Sequence, residues 1–372
     1  PEDPVIGSGN KHVISNEPRT FGNKVVSIIS EAKRTFRVRG APRDPAEGRK
    51  QKNQKERFIR GVFDAADERL MLQVKPSVHD QLAWYSAIRG WNSGRALLRK
   101  RENGSTFIDI TPFDPRHTYY EVGQEGLEWL CHKTNQTAPQ IKAFYGVDVA
   151  SDVGEQEGEG IDVYDYYDKK NNTIVIEGKV LKSPAKHGAE NRVPGWVVVV
   201  GEAPEIAGGN VATANFGESI YAADRLLYPY HNFILSVLME LASRARSPGT
   251  KVFSADGTKT TDEDPFRSGA EVGLRTGVED IVPRAQLETT KDMAALAGFL
   301  QAEIQRGALP HSIFGQLQFQ LSGFAINALR QGVATVVSPS ARAIEKAYIQ
   351  IGNMLVEQYV TGRFAVMEVT GI

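Results

Sequence analysis

The sequence has little of what marks the easily recognised functional classes. Cys131 is its one cysteine, so no intrachain disulfide can form and no disulfide framework of the secreted kind exists. Residues 1–20 lack the apolar stretch of a signal peptide. No run of roughly 18 apolar residues occurs, which removes a membrane-spanning helix. The longest apolar run, residues 196–200, suits a buried strand. An excess of charge of one sign is missing too. The 44 Lys and Arg balance 45 Asp and Glu to a net charge of -1, so any contact with nucleic acid must be local.

Catalytic and metal-binding signatures are equally scarce. The histidines (His12, His79, His117, His132, His187, His231 and His311) are scattered without ligand spacing. Cys131 and His132 are adjacent, and on a strand they face opposite ways, which spoils a nucleophile–base pair. The run Gly257-Thr258-Lys259-Thr260 lacks the upstream glycine of a phosphate-binding loop, and Gly158-Glu159-Gly160 has the wrong charge for phosphate. Neither a cofactor nor a metal is expected. One arrangement points the other way. Asp168, Glu177 and Lys179 follow the order of a restriction-type nuclease core, in which two carboxylates hold Mg²⁺ and a lysine polarises the phosphate. The alternative function is therefore a metal-dependent nuclease or other nucleic-acid enzyme. The plainer reading of the three is charged residues on an exposed strand face.

What is present is a chain of 372 residues, 41% apolar, enough for two or three compact units. Residues 31–60 carry eleven Lys and Arg against four acids, which suits a polyanion contact or a solvated arm. Residues 78–91 carry a helical stripe of Leu82, Tyr85 and Ile88. A hairpin is predicted for residues 95–110, turning at Asn103-Gly104. Further strands are predicted at 128–133, 161–167, 173–181 and 196–201, with a short helix over 137–145. Residues 152–168 hold seven acids and no base.

The last third changes character. Ile220, Ala223, Leu227, Tyr230, Ile234, Val237 and Leu241 repeat at helical spacing, and Leu226, Phe233, Leu235 and Leu238 widen the stripe beyond one face. Pro229 is expected to end or kink the first part. An insertion of β character covers 247–288, and a helix with Met293, Leu296, Leu300 and Ile304 then runs to Gly307. Residues 307–321 break the pattern. Residues 322–330 read as helix, and Ser338-Pro339 reads as the start of another long helix reaching about residue 361, with Ile344, Tyr348, Ile351, Leu355 and Tyr359 as its stripe.

This order of elements resembles the portal protein (head-to-tail connector) family of tailed bacteriophages. The likeness covers roughly residues 70–365 and is most specific at Phe216-Gly217-Glu218-Ser219-Ile220-Tyr221-Ala222-Ala223-Asp224-Arg225, at Ile108-Asp109-Ile110-Thr111-Pro112-Phe113-Asp114-Pro115-Arg116, and at Gly323-Phe324-Ala325-Ile326-Asn327. The resemblance implies an α+β fold with a β-rich wing, long stem helices, a small α/β clip and a tunnel loop, assembled in a closed ring. Residues 1–19 would be an arm, 20–216 the wing, 217–246 the first stem helix and 247–288 the clip. Residues 289–306 would be the second stem helix, 307–321 the tunnel loop, and 322–372 a long helix returning to the wing with a short or truncated crown.

It further implies a non-enzymatic, dodecameric channel at one capsid vertex of the virion, assembled in the host cytoplasm, for packaging and ejecting double-stranded DNA. The implied partners are the large-terminase packaging ATPase, a head–tail adaptor, and the major capsid and scaffolding proteins. Stem packing would use Ile234, Leu238, Leu241, Leu296 and Leu300. Partner docking would use Asp256, Lys259, Asp262, Glu263 and Asp264 of the clip. The DNA channel would be lined by Arg306, His311, Gln316, Gln318 and Gln320, although alternating Gln equally suits a buried interface strand and Arg306 equally caps its own helix.

Overall fold

The computed structural model describes residues 13–32, 34–38, 46–101, 104–149, 160–176, 178–189, 191–201, 217–246, 250–253, 280–283, 291–307, 323–362 and 364. The chain divides into two units, Phe21–Ala222 with Phe319–Ile372, and Pro1–Thr20 with Ala223–Gln318.

The larger unit is built on two antiparallel sheets. Strand β1 (Trp91–Lys100) lies between β2 (Thr106–Phe113) and β8 (Gly195–Val199). A five-stranded meander runs in chain order through β3 (Thr118–Gly123), β4 (Gly126–Gln136), β5 (Ile161–Tyr167), β6 (Asn171–Ile176) and β7 (Lys179–Lys186). Strand β5 shows why period-2 sequence gives a strand here: Ile161, Val163 and Tyr167 are buried while Asp162 and Tyr164 between them are not. Helix α4 (Ala138–Tyr145) covers this face through Ile141, and its first turn is closed by Gln140, whose Oε1 accepts the Thr137 N–H at 2.9 Å. The segment read as one strand over 173–181 is two strands, because Gly178, at φ +77, turns the chain between β6 and β7.

Helices α1 (Glu17–Ser30), α2 (Ala46–Leu72), α3 (Val78–Trp84) and α7 (Gly323–Thr361) supply the helical side of the core. Val62, Phe63, Ala66 and Leu70 of α2 and Ala347, Ile351 and Leu355 of α7 are essentially inaccessible. Tyr348 meets Phe36 and Phe63 edge-to-face at 5.6 and 4.8 Å, and its hydroxyl bonds His79 Nδ1 at 3.1 Å. The expected helix start at Ser338-Pro339 is corrected: α7 runs unbroken from Gly323 with Pro339 inside it. Burial of Val337 before the proline and of Ser340, Ala343 and Ile344 after it offsets a local cost on the order of 3 kcal/mol. After α3 a single π-helical turn ends at Gly90, at φ +79, and hands the chain to β1.

Helix α7 is also hydrogen-bonded into the three-stranded sheet. β8 pairs with β1 only over Trp91–Arg95. Beyond that point the side-chain amide of Gln358 takes over, accepting the Leu98 N–H and donating to the Ala96 carbonyl, both at 2.9 Å. Gln358 is buried, so it supplies in one side chain the donor and acceptor that a neighbouring strand would have offered.

Between the two sheets sits a network of charge. Arg95 of β1 donates through Nε to Asp109 of β2 at 3.0 Å, and through Nη1 to Asp165 of β5 and to the Tyr167 hydroxyl. Arg69 donates to Asp109 at 2.9 Å and to the Ile110 carbonyl at 2.7 Å, while Arg99 approaches Asp109 at 3.4 Å. Asn172 satisfies the second oxygen of Asp165 at 2.6 Å. Around the network pack Leu97, Phe113, Leu130 and Tyr167, with His132 stacked on Phe113 at 4.0 Å.

Burial alone would raise the Asp109 carboxyl, but Arg95, Arg99 and Arg69 outweigh it and hold the group below the usual carboxylate range. Replacing Asp109 with Asn leaves three guanidinium groups short of their counter-charge and is expected to cost about 3–5 kcal/mol in urea unfolding. The Asp109 contribution is complete above about pH 4 and is lost as pH falls through its lowered folded value. His132 acts over a separate window. Burial pushes its imidazole down to about 3, so the ring stays neutral in the fold while the unfolded chain takes up a proton near pH 6.5. Stability should therefore fall on acidification from about pH 6.5, and His132→Phe should flatten that slope in pH-dependent urea titrations.

Candidate assembly surface

The smaller unit is made from helix α5 (Leu227–Arg246), strands β9 (Thr250–Phe253) and β10 (Asp280–Pro283), and helix α6 (Lys291–Gly307). The helix expected from residue 217 begins at Leu227, after turns over residues 220–226. Pro229 neither ends nor splits it. It lies in the first turn, where backbone N–H groups have no helical partner to lose. The turn is anchored by Asp224, whose carbonyl accepts the N–H of Leu227 at 2.8 Å and of Tyr228 at 3.3 Å.

Two faces of α5 are covered within the unit. Asn232 and Ser236, one turn apart, accept the backbone N–H groups of Ser15 and Val13 at 3.0 and 2.9 Å, so the N-terminal arm lies along this side. Helix α6 packs against α5, burying Leu300 and Ile304. β9 and β10 pair antiparallel between the helices, Val252 opposite Ile281. Gly307, expected as a helix stop, is the last residue of α6 and is required for space: a Cβ there would stand 2.1 Å from Asp224 Oδ1. Asp224 is 2% exposed, and its Oδ2 has no hydrogen-bond partner among the described residues. Burial, helped by the negative charge of Glu17, pushes its carboxyl up.

Large apolar side chains remain in solvent on both helices. Tyr230 and Met239 of α5 are each 52% exposed, and nine residues of helix place them about 180° apart. Leu296 and Phe299 of α6, one turn apart, are 48% and 60% exposed, beside the buried Leu300–Ile304 stripe. Leu226, just before α5, is 54% exposed. Of the residues expected to pack the stem, Ile234 and Leu300 are buried, Leu238 and Leu241 half-buried, and Leu296 exposed. Met239 and Phe299 were not singled out from the sequence, since helical periodicity distinguishes faces but not which faces stay open.

The other candidate residues separate. Arg306 is exposed and ion-paired with Glu303 one turn back at 2.7 Å. His311, Gln316, Gln318 and Gln320, and the clip residues Asp256, Lys259, Asp262, Glu263 and Asp264, lie outside the described residues, as does Glu177. In the larger unit, Asp168 Oδ1 accepts the N–H groups of Lys170 and Asn171, both at 2.6 Å, and so closes the β5–β6 turn. Lys179 lies past the Gly178 turn, at the start of β7, while β6 ends at Ile176. Burial, with Asp165 nearby, raises the Cys131 thiol to about 11, far from a reactive thiolate. Among the described residues no group of three or more His, Cys, Asp or Glu converges as a metal site, and no helix is long and apolar enough to cross a membrane.

No family model and no curated protein matches the chain. Among solved structures it is similar to the neck of an empty GTA particle computed with C6 symmetry, at 14% identity and a TM-score of 0.44, covering 91% of this chain and 83% of that one.

The Asp224–Gly307 contact gives two expected outcomes of opposite sign. Gly307→Ala should destabilise α5 and α6 by about 1–3 kcal/mol, read as faster amide hydrogen exchange in both helices. Asp224→Asn should slow that exchange at neutral pH, because the raised carboxyl value means the fold favours the uncharged form.

Proposed function

We propose that the chain is a subunit of a portal-type head-to-tail connector ring of a tailed bacteriophage or phage-like particle, acting as a conduit without catalysis of its own. The observation that carries the reading is the α5/α6 pair, joined through β9 and β10, with Tyr230 and Met239 open on opposite faces of one helix and Leu296 and Phe299 open on the other. Contiguous exposed apolar patches mark interaction surfaces, and Leu296 with Phe299 one turn on forms such a patch in this unit. A closed ring requires each subunit to present one surface to the neighbour on its left and a different one to the neighbour on its right. A helix pair with apolar residues on opposed faces supplies both.

In this reading the smaller unit is the stem and clip, and the larger unit is the wing. DNA passes along the ring axis during packaging and ejection, and residues 307–321 form its narrowest point. The clip, through Asp256, Lys259, Asp262, Glu263 and Asp264, receives the packaging ATPase and later the tail adaptor. Near-zero net charge suits a passage that must release phosphate at every step, since each cation held against DNA adds affinity through counterion release. The nuclease reading has less support among the described residues: Asp168 Oδ1 closes a turn, and Lys179 begins the strand after it.

Native mass spectrometry tests the ring directly. Wild-type protein is expected as a closed oligomer near a dodecamer. The Leu296→Asp, Phe299→Asp double variant is expected as a folded monomer, because these side chains are open in the single subunit and buried only by a neighbour. A wild-type monomer, or rings of unchanged mass from the variant, would remove this role for the helices.

A further inference from the structure

The first half of α2 carries an unexplained row of charge. Arg49, Lys50, Lys55, Arg57 and Arg60 are exposed and Lys52 is half-buried, and none of the six enters an ion pair among the described residues. Four of them, Arg49, Lys50, Arg57 and Arg60, fall within an arc of about 100° on the side away from the Val62, Phe63, Ala66 and Leu70 stripe. The helix balances this row only in part: Glu56 stands four residues from Lys52 and from Arg60, and Asp64 four from Arg60. Arg49 and Lys52, Lys52 and Lys55, and Arg57 and Arg60 are like charges three residues apart, which repel on a helix surface. The cations also occupy the half nearer the positive end of the helix dipole, while Asp64, Asp67 and Glu68 occupy the half nearer the negative end. Both effects work against the helix and would be relieved by an external anion.

We propose that this face binds the phosphate backbone of nucleic acid without reading its sequence. The four cations of this arc span residues 49–60, roughly 16 Å of helix axis or about one charge per 4 Å, comparable with the one phosphate per 3.4 Å along each strand of a duplex. Within the arc Asn53 is an exposed amide, a side chain that also donates to phosphate oxygens. An aromatic platform for bases is missing from this face. Phe58, the aromatic residue of this stretch, lies off the arc and is engaged with Tyr359 at a ring separation of 4.8 Å. Such a surface holds a backbone and not a base. This inference stands independently of the ring reading, since the face belongs to a single subunit.

Anisotropy of a short labelled duplex mixed with the full chain, repeated across a salt series, tests it. Binding should weaken linearly in log salt with a slope of about -3.5, roughly 0.9 for each of the four cations engaged. Arg57→Gln alone should lower the slope by about 1. The combination Arg49→Glu, Lys50→Glu, Arg57→Glu and Arg60→Glu should weaken binding more than about tenfold, whereas Lys179→Glu with Lys182→Glu on β7 should leave it unchanged. If the fourfold reversal lowers the thermal midpoint, the corresponding fourfold Gln variant must show the loss instead. Wild-type affinity and slope in these variants would overturn the proposal. So would displacement of the duplex by poly-glutamate of matched charge as effectively as by unlabelled duplex, which would make an acidic protein the occupant.

Discussion

Arg95 is a cation in the middle of a core strand, and much of the larger unit is arranged so that it can stay there. Its guanidinium needs carboxylates on both sides, and they come from different sheets: Asp109 from the neighbouring strand and Asp165 from the meander. The two sheets can therefore adopt only an arrangement that brings β5 over β1. Arg69 extends the constraint to the end of α2 by binding the same Asp109 and the Ile110 carbonyl. A buried ion network of this kind adds less stability than a well-packed apolar core of equal volume, and breaking it is far more costly than never having it. Its contribution here is to orientation. The three arginines exceed the two carboxylates in charge, and the excess is felt by Lys75, whose ammonium is lowered first by burial and then by Arg69 and Arg95.

Local physics was readable in advance. The hairpin of β1 and β2, the alternation of β5, the short helix opening at Thr137, and the stripe Ile344, Tyr348, Ile351 and Leu355 follow from periodicity and turn chemistry alone. The misreadings have physical causes. Residues 173–181 look like one strand because the glycine that divides them carries no apolar signature, only a backbone freedom that becomes visible once it turns. Strand β3 was passed over because Thr118–Gly123 is an edge strand with little buried surface. Pro339 reads as a boundary because its local penalty is large, yet packing on either side outweighs it. The Arg95 network could not be read at all, since its partners stand 14 and 70 residues away.

The open surface of α5 and α6 shows the same division. Sequence spacing announces two helices with apolar residues on more than one side, and this much was legible. Which apolar residues are consumed within the subunit and which are left over depends on the arm at Val13–Ser15 and on the seat of α6, both non-local. Leu296 and Leu300 are equivalent in hydropathy and one turn apart, and only their surroundings make one exposed and the other buried.

The Gln358 amide has a consequence of its own. Past Arg95, strand β1 has lost β8, and an uncovered strand edge of that kind invites pairing with any extended chain that meets it. Two copies meeting edge to edge there would knit their sheets together. By occupying both the donor at Leu98 and the acceptor at Ala96, one glutamine withdraws that invitation where a proline or a surface lysine would ordinarily do so. The same bond pair ties the last turns of a long helix to a fixed point on the sheet, so the protection holds only while the helix is docked. A subunit whose α7 had not yet settled would expose that sheet edge, so the edge is covered only once the helix has docked.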